Sequence, residues 1–433
     1  MVLFWWAVLL AMNKSFETCL ENQFAESRSD DMRTVAIVIG TRPEAIKCAP
    51  LISAMADSKY LKPLVVSTGQ HREMLDTTLA VFGIKADIDL AVMQPRQTLT
   101  EVTQRILQGL PAALSQYSID AVAVHGDTAT TLAGALYAFQ NRTPVIHIEA
   151  GLRSGNIASP FPEEANRRLV AQISALHLAP TGGNYRNLLH EGVDPSRIAI
   201  TGNTVIDALH WGVQHALDYG VQGLEDLDSD PRRVVLASAH RRESWGHLAD
   251  IADALYEISR EPGVRVVVPL HKNPVVREKM QSRLQGNSNV SLVEPLPYLG
   301  FCKLMQKSHL IISDSSGAEE EGPALGKPTL VLRELTERPE AVNLGTAKLV
   351  GRDRGRIVAE ATALLRDEKR YRRMALPISP YGDGNATARS LEAITSFLMG
   401  DEYLYESLAP ERETVRAVQW PGASQAAFGI AGV

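Results

Sequence analysis

The chain has 433 residues, more than a single hydrophobic core usually organises, so we expect two domains. Hydrophobic residues make up 45% of the sequence and charged residues 22%, which excludes a collagen-like, disulfide-scaffold or wholly disordered chain. The formal net charge of −6 argues against a general nucleic-acid-binding protein and leaves room for a local basic pocket for a small anion. Only three cysteines occur, without a CxxC pair, which is typical of proteins of the reducing cytoplasm.

An almost uninterrupted apolar run opens the chain at residues 1–12. It is shorter than the roughly 20 residues that a membrane-spanning helix needs, and it lacks the flanking charges and cleavage site of a signal peptide. A polar, acidic stretch follows up to Met32, which is a candidate initiator. We therefore expect residues 1–32 to be a disordered extension or a mispredicted start, with no stable membrane insertion.

Short β-branched runs alternate with helical patterns from residue 33 onward. In the first half, the runs predicted as strands lie at residues 34–39, 64–67, 121–124, 145–148 and 176–178. Helical patterns follow the first and third runs, at residues 43–55 and 130–140, and another helix follows the run at 64–67. Strands that alternate with helices predict βαβ units and a parallel sheet.

The same alternation returns in the second half after a break near residues 203–232. The predicted strands there lie at residues 234–237, 264–268, 290–293, 310–313 and 329–332, with a helical pattern at residues 298–307. We expect an α/β protein with two doubly wound, Rossmann-like domains, over residues 33–203 and 204–375, that face each other across a cleft. The stretch over residues 409–433 lacks periodicity, and we expect a loose tail.

Polar side chains follow the predicted strands directly, and ligands of open parallel sheets bind beyond these carboxyl ends. The residues concerned are Arg42, Gln70, His71, His125, Asp127, Glu149, His240, Arg241, Arg242, His271 and those at 314–317. The stability of the fold does not require such polarity. We therefore interpret this edge of the sheets as a binding site.

Small residues at Ser315, Ser316 and Gly317 connect a predicted strand to a helix that we expect to begin near residue 318. Such residues let backbone N–H groups approach a phosphate at a helix N-terminus, although a tight turn would equally require them. Arginines after neighbouring strands favour the anion site. Because Walker and GxGxxG spacings are absent, a nucleoside diphosphate held without a Walker loop is the remaining candidate.

Three carboxylates, Asp127, Glu149 and Glu163, lie at or just after strand ends of the first half. Carboxylates that interact raise one pKa and make acid and base roles available near neutral pH. The alternatives are a helix N-cap for Asp127 and first-turn dipole stabilisation for Glu163 and its neighbour Glu164. Their joint occurrence at one sheet edge favours catalysis.

Other kinds of site find less support. His125, Asp127, His147 and Glu149 lack a third ligand at suitable spacing, so we predict no metal. No nucleophile motif occurs, and we expect Cys48 and Cys302 to be apolar fillers. Tyr298 and Phe301 are either packing residues or rings that stack on a base.

A series of motifs in fixed order then identifies a family. These are GTRPE at 40–44, TGQH at 68–71, HGDT at 125–128, HIEAGLR at 147–153, PEEANR at 162–167, TGNTVID at 201–207, HRRE at 240–243, DSSGAEEE at 314–321, TERPE at 336–340 and PYGDG at 380–384. Over residues 33–399 the chain closely resembles the non-hydrolysing UDP-N-acetylglucosamine 2-epimerases of bacteria.

The resemblance implies a GT-B-like fold, with an active site in the cleft and a C-terminal helix, within residues 376–408, that returns to the first domain. It implies interconversion of UDP-GlcNAc and UDP-ManNAc without metal or NAD, so we expect no cofactor. UDP is lost by elimination to 2-acetamidoglucal and then added back. It also implies a homodimer.

Site residues carry over motif by motif from the resemblance. The implied catalytic residues are Asp127, Glu149, Glu163 and His240. The implied substrate-binding residues are Arg42, Lys47, Arg167, Phe301, Ser315, Ser316, Gly317 and Glu321. A second, allosteric site for UDP-GlcNAc is implied at Gln70, Arg96, Arg242 and His271.

The chain departs from the family pattern at three positions. Ser316 stands in place of a glycine, Glu319 in place of a glutamine, and Glu73 where some regulated members carry glutamine. An added carboxylate beside a polyanion weakens its binding or marks a related substrate. The alternatives are therefore an epimerase of another UDP-sugar, a GT-B glycosyltransferase, and a non-catalytic UDP-sugar-binding protein.

Overall fold

A computed structural model of the chain describes residues 32–69, 72–94 and 96–400. The expectations for residues 1–31, for Gln70 and for the tail beyond residue 400 lie outside these ranges. Within the described ranges, no helix has both the length and the apolar character needed to cross a membrane.

The first sheet has seven parallel strands in the order β3-β2-β1-β4-β5-β6-β7. Its strands are β1 (Arg33–Ile39), β2 (Leu61–Ser67), β3 (Ile88–Asp89), β4 (Ala121–His125), β5 (Val145–Ile148), β6 (Leu176–Ala179) and β7 (Ile198–Ile200). The accompanying helices are α1 (Arg42–Ala56), α2 (Arg72–Val81), α3 (Leu99–Leu114), α4 (Ala129–Gln140), α5 (Glu163–Ile173), α6 (Gly182–His190) and α7 (Thr204–His215). A 3-10 turn covers Pro195–Arg197.

Both faces of this sheet are buried, which is why its strands are continuous apolar runs rather than alternating patterns. In β1, Ile37 packs with Leu51 of α1 in one core cluster. The adjacent Val38 packs with Ile106 of α3 in a second cluster on the opposite face. Helices therefore cover the sheet on both sides.

The second sheet has six parallel strands in the order β10-β9-β8-β11-β12-β13. Its strands are β8 (Arg233–Ser238), β9 (Val264–Pro269), β10 (Val290–Val293), β11 (Leu310–Ser313), β12 (Thr329–Val331) and β13 (Ala347–Leu349). Its helices are α8 (Leu248–Ile258), α9 (Pro274–Leu284), α10 (Tyr298–Lys307), α11 (Ser316–Ala324), α12 (Pro339–Asn343), α13 (Arg354–Arg366) and α14 (Glu368–Met374). A 3-10 helix covers Arg242–His247.

The last helix, α15 (Ala386–Met399), packs on the first sheet rather than the second. Its Ala393 and Ile394 belong to the same core cluster as Leu51 of α1. Asp207 of α7 accepts hydrogen bonds from the backbone N–H groups of Ala386 and Thr387, the first two residues of α15. A carboxylate there accepts hydrogen bonds from N–H groups that have no partner within the helix, and its negative charge interacts favourably with the positive end of the helix dipole.

The predicted α/β class and the two doubly wound parallel sheets are confirmed, and every predicted strand is present. The sequence prediction missed β3, β7 and β13, which are edge strands of two or three residues. Such strands are too short to show a periodicity. The helix α11, predicted to begin near residue 318, is present and begins at Ser316.

Candidate active site

A cavity of about 650 Å³ lies between the two sheets, at the carboxyl ends of their strands. This edge is where the strand order reverses on either side of β1 and β8, the usual ligand position in doubly wound folds. The cavity brings together many residues predicted for the site: Arg42, Lys47, His240, His271, Phe301, Ser315, Ser316, Gly317 and Glu321.

The start of α1 places the basic residues of the first half. Thr41 is the N-cap, and Glu44 accepts hydrogen bonds from the backbone N–H groups of Gly40 and Thr41 at 2.7 and 2.8 Å. This capping box begins the helix immediately after β1. Arg42 and, just over one turn later, Lys47 consequently line the cavity. Burial lowers the pKa of Arg42, although the carboxyl group of Glu321 opposes the effect.

Asp314 joins the loops that follow β8 and β11. It is fully buried, and its carboxylate accepts from the backbone N–H groups of His240 and Arg241, each at 2.9 Å. The His240 Nδ1 atom lies 3.4 Å from Asp314 Oδ1. Because these loops border α11, the first N–H groups of this helix and the ring of His240 face the same cavity, an arrangement suited to a phosphate.

Arg241 is a site residue to which the sequence analysis gave no specific role. Its Nη2 atom donates to the hydroxyl of Ser316 at 3.2 Å, so the serine that replaces the family glycine receives a defined partner. Burial lowers the pKa of Arg241, and the nearby Arg333 adds to the effect. The consecutive arginines after β8 were the available signal. Arg242, to which the resemblance assigned a role, is exposed.

Part of the cavity wall is apolar. Phe301 lines it together with Leu270 and Leu296, and Phe301 also packs against a core cluster of the second half. Glu321 lies at the same wall and is almost fully buried. Burial raises the pKa of Glu321 to about 8, and the charge of Glu320 adds to the rise. A protonated Glu321 is able both to donate a hydrogen bond and to accept one.

Two of the predicted catalytic carboxylates, Asp127 and Glu163, interact outside the cavity wall. Arg167 Nε donates to Asp127 Oδ2 at 2.9 Å, and Asn166 Nδ2 donates to the Asp127 carbonyl at 2.8 Å. The alternative role of Asp127 as a helix N-cap is wrong, because Thr128 caps α4. Glu163 does lie in the first turn of α5. Burial raises the pKa of Glu163, the charge of Asp127 adds to the rise, and Arg167 and Arg241 oppose it.

A model of the protein family described as UDP-N-acetylglucosamine 2-epimerase matches residues 53–395, most of the chain. The chain belongs to this family. It is 49% identical over 367 residues to the UDP-N-acetylglucosamine 2-epimerase of Escherichia coli K12, with 83% of this chain and 98% of the relative covered. The resemblance inferred from the motifs is thereby confirmed, and the protein is an epimerase.

Solved structures show the same architecture. The UDP-GlcNAc 2-epimerase of Neisseria meningitidis, solved bound to UDP-GlcNAc, is 44% identical with a TM-score of 0.78, covering 83% of this chain and 99% of that one. The enzyme of Methanocaldococcus jannaschii, solved with UDP-GlcNAc and UDP, is 30% identical with a TM-score of 0.72, covering 84% and 99%. The GT-B-like fold of this epimerase is confirmed.

Glu149, the third predicted catalytic carboxylate of this epimerase, is buried away from the cavity wall. Its backbone has a φ of 61°, a strained conformation for a residue with a side chain. The carboxylate pairs with Lys47, and it accepts from Asn203 Nδ2 at 2.8 Å and from Arg338 Nη2 at 3.4 Å. Burial would raise the pKa of Glu149, but Lys47, His125 and Arg338 hold it well below its usual range.

The residues predicted for an allosteric site do not meet in one place. His271 lines the cavity and stacks on His240, with ring centroids 5.5 Å apart. Arg96 and Arg242 are exposed and do not line the cavity, and Gln70 lies outside the described ranges. An allosteric site that includes these residues stays a prediction.

Side chains that the sequence analysis set aside are buried in this epimerase. Cys48 and Cys302 are free thiols in the core, and burial raises the pKa of both. His147 lies inside β5, where burial lowers its pKa to about 4. Among the described residues, no group of three His, Cys, Asp or Glu side chains is placed to hold a metal ion.

Proposed function

We propose that this epimerase interconverts UDP-GlcNAc and UDP-ManNAc by inverting C2 of the sugar. The observation that carries the proposal is the position of Arg241. Its guanidinium donates to Ser316 at the start of α11, and its charge also acts on Glu163 beside Asp127. The helix end that we propose binds the diphosphate and the proposed catalytic carboxylates are therefore both close to Arg241. The named activity and ligands of the relatives support the same substrate.

The reaction begins with an elimination. A carboxylate of the Asp127 and Glu163 pair removes the proton from C2, the bond between C1 and the phosphate oxygen breaks, and UDP leaves with its electron pair. The C1–C2 double bond of 2-acetamidoglucal forms. General base catalysis of this kind contributes about 10²- to 10⁴-fold to a rate.

The departing UDP is stabilised where its negative charge develops. The N–H groups at the start of α11, Arg42, Lys47 and Arg241 supply positive charge on the diphosphate side. His240, whose Nδ1 atom faces Asp314, retains its other ring nitrogen for the diphosphate or the sugar. Phe301 stacks on the uracil, and Glu321 binds the ribose hydroxyls.

In the second half of the reaction, UDP adds back to 2-acetamidoglucal. The other carboxylate protonates C2 from the opposite face, and the phosphate oxygen of UDP attacks C1. The raised pKa of Glu163 makes a protonated Glu163 available as the acid for one direction and an ionised Glu163 as the base for the other.

Incubation of the protein with UDP-GlcNAc alone in D₂O tests the proposal. We expect NMR to show deuterium at C2 and a mixture of UDP-GlcNAc and UDP-ManNAc. A panel of other UDP-N-acetyl sugars distinguishes an epimerase of a related substrate, which Glu319 beside the phosphate loop would favour. A glycosyltransferase would transfer sugar only with an acceptor, and absence of C2 exchange with UDP-GlcNAc would overturn the proposal.

We also propose that the protein acts as a homodimer in solution, as the family resemblance implies. Multi-angle light scattering on the full chain measures the mass directly. Twice the chain mass of 47.3 kDa supports the proposal, and the mass of a single chain contradicts it.

A further inference from the structure

A ring of four alternating charges lies behind the cavity wall and connects the two halves of the molecule. Lys47 pairs with Glu149 and, at 3.1 Å, with Glu320. Arg338 closes the ring, because its Nε atom donates to Glu320 at 2.6 Å and its Nη2 atom to Glu149 at 3.4 Å. Asn203 Nδ2 lies between the two carboxylates, 2.8 Å from Glu149 and 3.1 Å from Glu320.

The members of this charge ring come from different sheets. Lys47 belongs to α1, Glu149 follows β5, and Asn203 precedes α7, whereas Glu320 belongs to α11 and Arg338 precedes α12. Each of these five residues is buried, with between 1% and 7% of its surface exposed. The ring is therefore a buried contact between the two halves rather than a surface ion pair.

Stability alone is a weak reason for such an arrangement. Four charges removed from water lose hydration free energy, and apolar side chains of similar volume stabilise an interior at least as well. A charge ring does, however, require one relative position of its members, since its bonds are directional. The arrangement of the cavity wall depends on that relative position, because Lys47 lines the cavity directly and Glu320 lies on α11, the helix that begins at the phosphate loop.

We propose that Asn203, Glu320 and Arg338 are positioning residues for the reaction, which fix Lys47 and the phosphate-binding end of α11 at a set distance from Asp127 and Glu163. This inference rests on the proposed function. None of the three residues lines the cavity, so they act through Lys47, Glu149 and α11. The distance that matters is the one between the departing UDP and the carboxylate that removes the C2 proton, because it affects the rate of the elimination.

The ring also affects the pKa of Lys47. Burial would lower the pKa of Lys47, but Glu149 and Glu320 raise it above its ordinary value, while Arg338 opposes them. Further titratable groups that face the ring among the described residues are His125, at 3.6 Å from Glu149, and Glu319, Glu321, Glu337 and Arg241. Loss of the Glu320 charge therefore lowers the pKa of Lys47, and Lys47 loses its proton at a lower pH.

The test uses Glu320→Gln, which keeps the shape of the side chain and removes its charge. We expect kcat for UDP-GlcNAc to fall about 10- to 100-fold. We expect UDP affinity, measured by calorimetry, to stay near that of the wild type. The alkaline limb of the kcat profile should move to lower pH, and Glu320→Asp should return this limb towards its original position.

Asn203→Ser is an independent variant in case Glu320→Gln folds poorly. Serine keeps the N-cap of α7, which Asn203 provides through Val205 N–H, but it removes the amide donor to both carboxylates. The matched control is Glu340→Gln, at another contact between the halves, where Thr181 Oγ1 donates to Glu340 at 2.6 Å. We expect kcat and its pH profile to stay those of the wild type in the control.

The outcomes separate the two proposals. If the wild type exchanges C2 hydrogen while the folded Glu320→Gln and Asn203→Ser variants match the Glu340→Gln control in kcat and pH profile, the positioning role is wrong and the proposed function stands. If the wild type fails to exchange C2 hydrogen of UDP-GlcNAc, the proposed function fails, and the positioning role fails with it.

Discussion

Arg167 Nε lies 2.9 Å from Asp127 Oδ2, and Nη1 of the same guanidinium lies 3.3 Å from Glu164 Oε2. Glu164 is completely buried, so it holds the guanidinium in place while Arg167 orients Asp127 at the edge of the cleft. A single arginine therefore links the core of the first half to a carboxylate proposed for catalysis.

Arg167→Lys should reduce kcat. Lysine has one nitrogen in place of the guanidinium fork and does not satisfy Glu164 and orient Asp127 together, so we expect a loss of about 10- to 100-fold. Arg168→Lys is the control, because Arg168 Nε contacts the same Glu164 at 3.1 Å and makes no contact with Asp127. Equal losses in steady-state assays of the two variants would contradict the orienting role.

Asp127→Asn should reduce the rate by about 10²- to 10⁴-fold if Asp127 transfers the C2 proton. It should also lower the pKa of Glu163, because the charge of Asp127 is one cause of its raised value while burial, the larger cause, remains. In the pH profile of the residual kcat/KM, the Glu163 limb should therefore move to lower pH. A variant with unchanged rate and profile would argue against the pair.

Glu319→Gln should stabilise the protein at alkaline pH. Glu319 is fully buried, and Arg333 Nη1 lies 3.8 Å from its carboxylate. Burial raises the pKa of Glu319 to about 7, although Thr336, Arg338 and Arg333 oppose the rise. The folded state thus binds this proton more tightly than the unfolded state. The free energy of unfolding of the wild type consequently falls as pH rises from about 4 to about 7.

The expected gain for Glu319→Gln is on the order of 1–3 kcal/mol at pH 8 and vanishes below about pH 4. Denaturant unfolding at several pH values measures it. Glu337→Gln should change the free energy of unfolding in the opposite direction, because Arg338 and Arg333 outweigh burial and hold the pKa of Glu337 far below its usual value. That variant should lose stability at pH 8, by about 3–5 kcal/mol for a broken buried pair. A Glu319→Gln protein no more stable than wild type at pH 8 would refute the assignment.

Arg241→Lys should weaken UDP binding about 10-fold or more, since a hydrogen bond to a charged group contributes about 1.5–3 kcal/mol. Lysine loses the fork that contacts Ser316, the first residue of the helix proposed to bind the diphosphate. The neighbouring Arg242→Lys is the control, because Arg242 is exposed, whereas Arg241 is held against Ser316 at the start of α11. Calorimetric titration with UDP should detect the change in the first variant alone.

The secondary structure and the general position of the site were predictable from the chain. The strands β1, β4, β8 and β11 are buried apolar runs followed by polar residues, so they are recognisable in the sequence, and parallel strands bring their carboxyl ends to one edge. The small residues at 315–317 and the arginine at 42 follow such strands, and all of them line the cavity.

The roles of individual carboxylates were decided by tertiary structure. Glu149, Asp127 and Glu163 have the same chemistry in sequence, yet Glu149 is enclosed by Lys47 and Arg338, while Glu163 faces another carboxylate. Only packing determines which charges neighbour a group and how much water it keeps, and these two factors set its pKa.

Asn203, Glu320 and Arg338 lie within motifs recognised in the sequence, but no motif indicated that they share one ring with Lys47 and Glu149. Glu320 is 273 residues from Lys47, and Arg338 is 189 residues from Glu149. Local patterns specify helices and strands because their hydrogen bonds connect near neighbours or repeat along a strand. Contacts between the two halves depend on how separate sheets pack, and that position follows from the whole fold.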